Sequence, residues 1–141
     1  STRGGAPVCL AMVDIPRFKW VNDSYGHHAG DRVLAQIGRT MQRQLRPSDL
    51  LVRYGGEEFA VLLPETALAE ALAALERLRL AIGQCQTSVA QRATIRVSVS
   101  IGIAQWQEGW SLDDLLQAAD EALYGAKQAG RNCIGVPEQA A

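Results

Sequence analysis

Three carboxylates in two separated stretches have the types and spacing to share a divalent metal. Asp14 ends the apolar run VCLAMV (Val8–Val13), and Glu57 and Glu58 follow a glycine pair in RYGGEEF (Arg53–Phe59). Magnesium prefers hard oxygen ligands and keeps part of its water shell, so two carboxylates plus substrate phosphates suffice. Adjacent residues of a strand point to opposite faces, so Glu57 and Glu58 need not do the same job. Gly55 and Gly56 admit unusual backbone angles and close approach of a ligand. The same four residues also read as an ordinary hairpin turn with solvated acids. Local sequence leaves both readings open.

A second group lies in FKWVNDSYGHHAGD (Phe18–Asp31), where Asn22 and Asp31 could read a purine. An Asp accepts from ring N–H and amino groups, and an Asn both donates and accepts. Loop and cap chemistry, with Asp31 as a helix-start acid, explains the pair equally well. His27 and His28 have no cysteine or third histidine at metal spacing and are not read as ligands. Lys127 and Arg131, four apart near the end of a helical pattern, either complement the helix dipole or clamp terminal phosphates. Arg17 and Lys19 add positive charge beside Asp14. Arg46 and Asp49, in RPSD, read locally as a helix stop with an ion pair.

These residues need elements to position them. Val8–Val13 reads as a buried strand. Residues 28–45 read as a helix with the stripe Val33, Leu34, Ile37, Met41 and Leu45, stopped by Pro47 and Ser48. Leu50–Arg53 and Phe59–Leu63 are two strands of a hairpin closed through the glycine pair. Leu68, Leu72, Leu75, Leu78 and Ile82 mark a second amphipathic helix. Ile95–Ile103 alternates strictly and reads as one strand with one face on helices. Ser111 caps a third helix that Gly130 closes, and Cys133–Val136 reads as a short edge strand. The tryptophans Trp106 and Trp110 read as packing at the sheet rim. This order implies an α/β (α+β) fold with a central mixed or antiparallel sheet flanked by helices.

Composition sets outer limits. The chain has 141 residues, 48% hydrophobic and 21% charged, which suits one domain with a hydrophobic core. A formal net charge of -1 argues against a general nucleic-acid surface, so any anion site must be local. Cys9, Cys85 and Cys133 are far apart and unpatterned, which suits a reducing compartment. No apolar run is long enough to span a bilayer, and no signal peptide is evident. Residues 1–8, STRGGAPV, read as a loop-like lead into the first strand.

VDIPRFKWVNDSYGHHAGD, RPSDLLVRYGGEEF, VSVSIGIA and ADEALYGAKQAGRN, taken together, resemble the GGDEF domain family of diguanylate cyclases in order and spacing, over roughly residues 8–136. The resemblance implies a palm-like nucleotide cyclase fold and condensation of two GTP molecules into cyclic di-GMP with release of two pyrophosphates. It implies magnesium, or manganese, held by Asp14, Glu57 and the Ile15 carbonyl, with Glu58 supporting the metal or activating the 3′-hydroxyl. It implies Asn22 and Asp31 on the guanine edge with Leu34 beside the base. It further implies phosphate held by the backbone around Arg17 and Phe18 and by Lys127 and Arg131, with Gly55 and Gly56 admitting the nucleotide. Catalysis is expected from a homodimer, since one domain holds one GTP. Arg46 and Asp49 match the family's RxxD inhibitory site for cyclic di-GMP. An upstream sensory or regulatory domain and a cytoplasmic location for this domain are expected, whether or not the full-length protein is membrane-anchored.

Three departures stand out. Pro16 takes the place of the second aspartate in the family's DxD, and proline offers neither carboxylate nor N–H. Weakened metal or phosphate ordering is expected, and with it the alternative of a degenerate domain that binds GTP or cyclic di-GMP and regulates a partner. Residues 1–141 read as one such domain lacking the family's first helix. GGEEF replaces GGDEF and keeps the charge.

Overall fold

A computed structural model of the chain describes residues 5–90 and 93–137; residues 1–4 of the expected leading loop lie outside them. The elements run β1 (Cys9–Asp14), α1 (Phe18–Tyr25), α2 (His27–Gln44), β2 (Leu50–Arg53), β3 (Glu58–Leu63), α3 (Leu68–Gln84), β4 (Thr87–Ala90), β5 (Ala93–Ile95), β6 (Ser100–Gln105), α4 (Leu112–Gln128) and β7 (Ile134–Gly135). Five strands make one sheet in the order β2-β3-β1-β6-β7. All its pairings are antiparallel except β6 with β7, which is parallel. The expected mixed sheet flanked by helices is therefore present.

β1 lies at the centre and is apolar up to Asp14 because both of its faces are covered. Cys9, Ala11 and Val13 join the core built with Phe18, Val33, Ile37, Leu75 and Leu78 of the first three helices. Leu10 and Met12 join Leu115, Ala119 and Leu123 of α4 on the opposite face. Burying a side chain of this size contributes about 1.5–3 kcal/mol, so the continuous apolar run fixes β1 between two layers. Trp106 and Trp110 pack at the rim of the α4 core, and the Trp106 indole N–H donates to the Trp110 carbonyl at 3.0 Å. Ser111 caps α4 as expected: Asp114 N–H donates to Ser111 Oγ at 3.2 Å, and Ser111 N–H donates to Asp114 Oδ2 at 2.9 Å.

Two expectations need correction. The stretch Ile95–Ile103 is not one strand. β5 pairs with β4 in a separate two-stranded sheet, and the chain joins the main sheet only at Ser100. Alternation continues through the unpaired link, so the pattern alone could not show the change of partner. Nor does β6 have a single covered face. A Cβ on Gly102 would lie 2.1 Å from the Leu123 nitrogen and 2.4 Å from the Ala119 carbonyl oxygen. The small residues Ser100, Gly102 and Ala104 admit the backbone of α4; they do not mark a solvent face.

The second correction concerns Phe18–Asp31, which is mostly helical. α1 occupies Phe18–Tyr25, Gly26 turns the chain at φ 90°, and α2 begins at His27. Only Phe18 and Val21 of α1 are buried, too few to make a stripe. Asp31 therefore sits in the second turn of α2 and is not its starting acid.

Candidate active site

β1 delivers Asp14 to the end of the sheet between two neighbours. Its register partners are Glu58 on β3 and Ser100 on β6. The Asp14 carboxylate is buried, and Lys127 of α4 places its ammonium 2.6 Å from Oδ2. The hairpin closes against the same point, since the Ile15 N–H donates to the Glu57 carbonyl at 3.2 Å. Sequence-distant Asp14, Glu57, Glu58 and Lys127 are thus neighbours.

Three carboxylates in one place repel one another. Burial first, and the Asp14 charge second, push the Glu57 and Glu58 carboxyls above the usual range, and Lys127 only partly opposes this. Asp120 of α4 adds to the repulsion at Glu58. Among the described residues no three such groups form a ready-made metal cage. The donor set instead fits magnesium bound by one or two carboxylates together with substrate phosphates and water. A cation there would relieve the repulsion.

The glycine turn is held from within. The N–H groups of Tyr54 and Gly55 donate to the Glu58 carbonyl at 2.9 and 3.2 Å. Arg53, which the sequence reading did not assign, donates from Nε to the Gly55 carbonyl at 3.3 Å and from Nη2 to the Gly56 carbonyl at 2.8 Å. Gly55 and Gly56 do not have the left-handed φ that a glycine pair permits. A Cβ on Gly56 would meet nothing within 4 Å, so the turn presents open backbone.

Beside this turn lies a cavity of about 410 Å³ whose lining includes Phe18, Asn22, Asp31, Leu34, Gly56 and Glu57. Five of the residues expected near a nucleotide therefore line one space with a metal candidate. Lys19, His27 and Arg53 also line it. In the sequence Lys19 shows only as charge beside Asp14, one residue after Phe18. Asn22 is set by Gly30, where an added Cβ would fall 1.9 Å from Asn22 Oδ1.

Arg17 and Arg131 lie elsewhere. Arg17 precedes α1 in the left-handed region (φ 63°), and Arg131 follows α4 in the same region (φ 64°). Both line a second cavity of about 340 Å³ with Pro16. The Arg131 segment is anchored: its N–H donates to the Ala126 carbonyl at 3.0 Å, Asn132 N–H to Ser100 Oγ at 3.2 Å, and Arg79 Nη1 to Asn132 Oδ1 at 2.7 Å.

Arg46 and Asp49 lie just before β2, with that whole strand between them and the glycine turn. The Asp49 side chain is 3% exposed and accepts from the Arg46 N–H at 2.8 Å and from Arg46 Nη2 at 3.1 Å. Arg46 Nη2 also donates to the Pro64 carbonyl at 2.9 Å and to Thr66 Oγ1. Its side chain is still 51% exposed.

Residues 1–133 match the family model described as diguanylate cyclase, GGDEF domain. The chain is 43% identical over 136 residues to the response regulator PleD of Caulobacter vibrioides, covering 95% of this chain and 30% of that protein. Its fold superimposes on diguanylate cyclase SiaD of Pseudomonas aeruginosa, solved with its activator SiaC, at TM-score 0.90 and 41% identity, over 95% of this chain and 51% of that one. It also superimposes on the GGDEF domain of DgcB from Caulobacter crescentus, solved with c-di-GMP, at TM-score 0.89 and 34% identity, over 94% and 78%. The chain thus spans about a third of the length of the curated relatives it matches.

Proposed function

The chain belongs to the GGDEF family of diguanylate cyclases, and from that premise we propose that it joins two GTP molecules into cyclic di-GMP. The carrying observation is that the Asp14–Glu57 end of the sheet adjoins the cavity lined by Asn22, Asp31 and Leu34. In this reading Asn22 and Asp31 take the guanine edge, and Leu34 packs on the base. The triphosphate runs past the backbone of Arg17 and Phe18 towards Lys127 and Arg131, with Lys19 adding charge from α1. Gly55 and Gly56 leave room for the nucleotide.

Asp14, Glu57 and the Ile15 carbonyl would hold magnesium. Bound there, the metal gathers phosphate charge and lowers the pKa of the attacking hydroxyl. The remaining work is positioning. The 3′-oxygen of one GTP forms a bond to the α-phosphorus of the other, the bond to the β-phosphate oxygen breaks, and pyrophosphate leaves. Glu58, the register partner of Asp14, supports the metal site or accepts the hydroxyl proton. One base cavity per chain requires two chains to face each other, and a second, symmetric step closes the ring. Arg46 offers an exposed guanidinium fork to returning product away from this centre, which supports inhibition by cyclic di-GMP. The DgcB complex with c-di-GMP supports the choice of ligand.

Pro16 favours a second reading, a domain that binds these nucleotides without turnover and regulates a partner. Incubation with GTP and magnesium, followed by chromatography, separates the two. Cyclic di-GMP is expected. Its absence, both here and in a longer chain that includes the preceding segment, together with retained nucleotide binding, would establish the second reading.

A further inference from the structure

Gly130, Arg131 and Asn132 follow α4 with three consecutive positive φ angles, 115°, 64° and 47°. Left-handed backbone strains a residue that carries a side chain, and it persists only where the surroundings over-determine it. Part of that determination comes from far away in the chain. Arg79 of α3 donates from Nη1 to the Asn132 side-chain oxygen at 2.7 Å and to its main-chain carbonyl at 3.1 Å, across 53 residues. Arg79 is itself aimed by Glu76, three residues earlier: Nε donates to Oε1 at 2.8 Å and Nη2 to Oε2 at 2.5 Å. Such a two-point fork fixes orientation as well as charge. The Arg79 side chain is 16% exposed and that of Glu76 45%. The Arg79 guanidinium is therefore engaged and mostly covered, unlike a group waiting for a ligand.

The turn held in this way carries Arg131. Arg131 is exposed, so the direction of its side chain depends on the backbone beneath it. The Arg131 N–H ties that backbone to α4 and the Asn132 N–H ties it to Ser100 of β6. Arg79 adds a third anchor, from α3. We propose that Arg79 is a positioning residue: through Asn132 it keeps the Arg131 turn in the shape that presents Arg131 to the outer phosphates, with Glu76 fixing Arg79. A guanidinium presented in advance gives up less freedom on binding. The inference rests on the cyclase reading for the role of Arg131, and it adds no group to the nucleotide site.

Titration calorimetry of the whole chain with GTP and, separately, with GMP, each with magnesium, tests it. GMP shares the base but lacks the outer phosphates. Arg79→Ala should weaken GTP about tenfold, the loss of one charge-assisted contact, and leave GMP at the wild-type affinity. Glu76 is half-exposed, so its carboxylate stays solvated in that variant and the fold is kept. Arg79→Lys offers Asn132 a cation without the fork and should fall between the two. In an Arg131→Ala background, Arg79→Ala should weaken GTP no further, because the group it positions is gone. Equal weakening of GTP and GMP would make the role of Arg79 merely structural and overturn the inference. Additive losses in the double variant, or wild-type GTP affinity in Arg79→Ala, would overturn it too. Wild-type GTP affinity in Arg131→Ala would instead fault the phosphate assignment of the cyclase reading, and the inference would fall with it.

Discussion

Lys127 of α4 holds its ammonium 2.6 Å from Asp14 Oδ2 at the buried end of β1. The pair ties α4 to the central strand beside the Glu57 and Glu58 carboxylates. The Asp14 side chain is 8% exposed and that of Lys127 30%. A buried carboxylate left without its cation keeps its desolvation cost and loses its Coulomb partner.

Removing Lys127 should therefore cost stability before any question of catalysis arises. Lys127→Ala is expected to lower unfolding free energy by about 1.5–3 kcal/mol, the range for hydrogen bonds to charged groups. Asp14→Asn in the same background should recover part of this, because no buried charge remains. Urea denaturation without nucleotide measures both. Additive losses in the double variant would show that the two side chains are not coupled.

Glu57 and Glu58 give a pH dependence of definite sign. Burial first, and Asp14 second, hold both carboxyls above 4.5. The folded chain thus keeps these protons to higher pH than the unfolded chain, and stability falls as pH rises from the ordinary to the raised value. Glu57→Gln and Glu58→Gln lack that ionisation. In EDTA they should melt above the wild type at about pH 7 and close to it at about pH 3.5, below the ordinary glutamate value. A melting difference that is constant across pH would contradict the electrostatic account. Magnesium with GTP should stabilise the wild type but not Glu57→Gln.

Gly30 links packing to recognition. An alanine in a helix interior ordinarily stabilises by about 1 kcal/mol relative to glycine. Here the added Cβ would fall 1.9 Å from Asn22 Oδ1 and 3.1 Å from Phe18 Cζ. The Asn22 carboxamide must move, and Phe18 and Asn22 both line the base cavity. Gly30→Ala should keep the fold, with a circular dichroism spectrum like the wild type, and lose about tenfold or more in GTP affinity, as expected when a polar partner is displaced. Unchanged affinity would mean that Asn22 does not contact the base.

Much of this was legible in the sequence, and for identifiable reasons. The stripe from Val33 to Met41 and the continuous run of β1 each report burial, and burial sets their faces. Adjacent acids after a glycine pair drew notice to Glu57 and Glu58, but it was the resemblance, not the local sequence, that joined them to Asp14. What the sequence hid were pairings. Nothing in the alternation from Ile95 to Ile103 distinguishes a strand of the small sheet from β6. Gly102 could report its clash with α4 only once Leu123 and Ala119 stood opposite it. Arg53 looked like any strand-end cation until the Gly55 and Gly56 carbonyls were known to turn back onto it. The second cavity is lined from three separate stretches, residues 16–21, 95–98 and 130–132, so no local pattern reports it.

The Arg46–Asp49 unit separates a structural role from a regulatory one. Asp49 accepts from the Arg46 N–H as well as from its guanidinium, so its carboxylate keeps a partner when the Arg46 side chain is shortened. Arg46→Ala should consequently fold normally. It should also leave the initial rate of cyclic di-GMP formation unchanged, because β2 separates it from Glu57. Its effect should appear late in the progress curve, where the wild type slows as product accumulates and the variant does not. Arg46→Lys keeps the charge but not the planar fork, so an inhibitory site that reads a phosphate or guanine edge through two parallel N–H donors should be relieved almost as much by lysine as by alanine. Full inhibition in Arg46→Lys with none in Arg46→Ala would mean that charge alone is recognised. Full inhibition in both would remove this unit from the regulatory reading and leave it as the stop of α2.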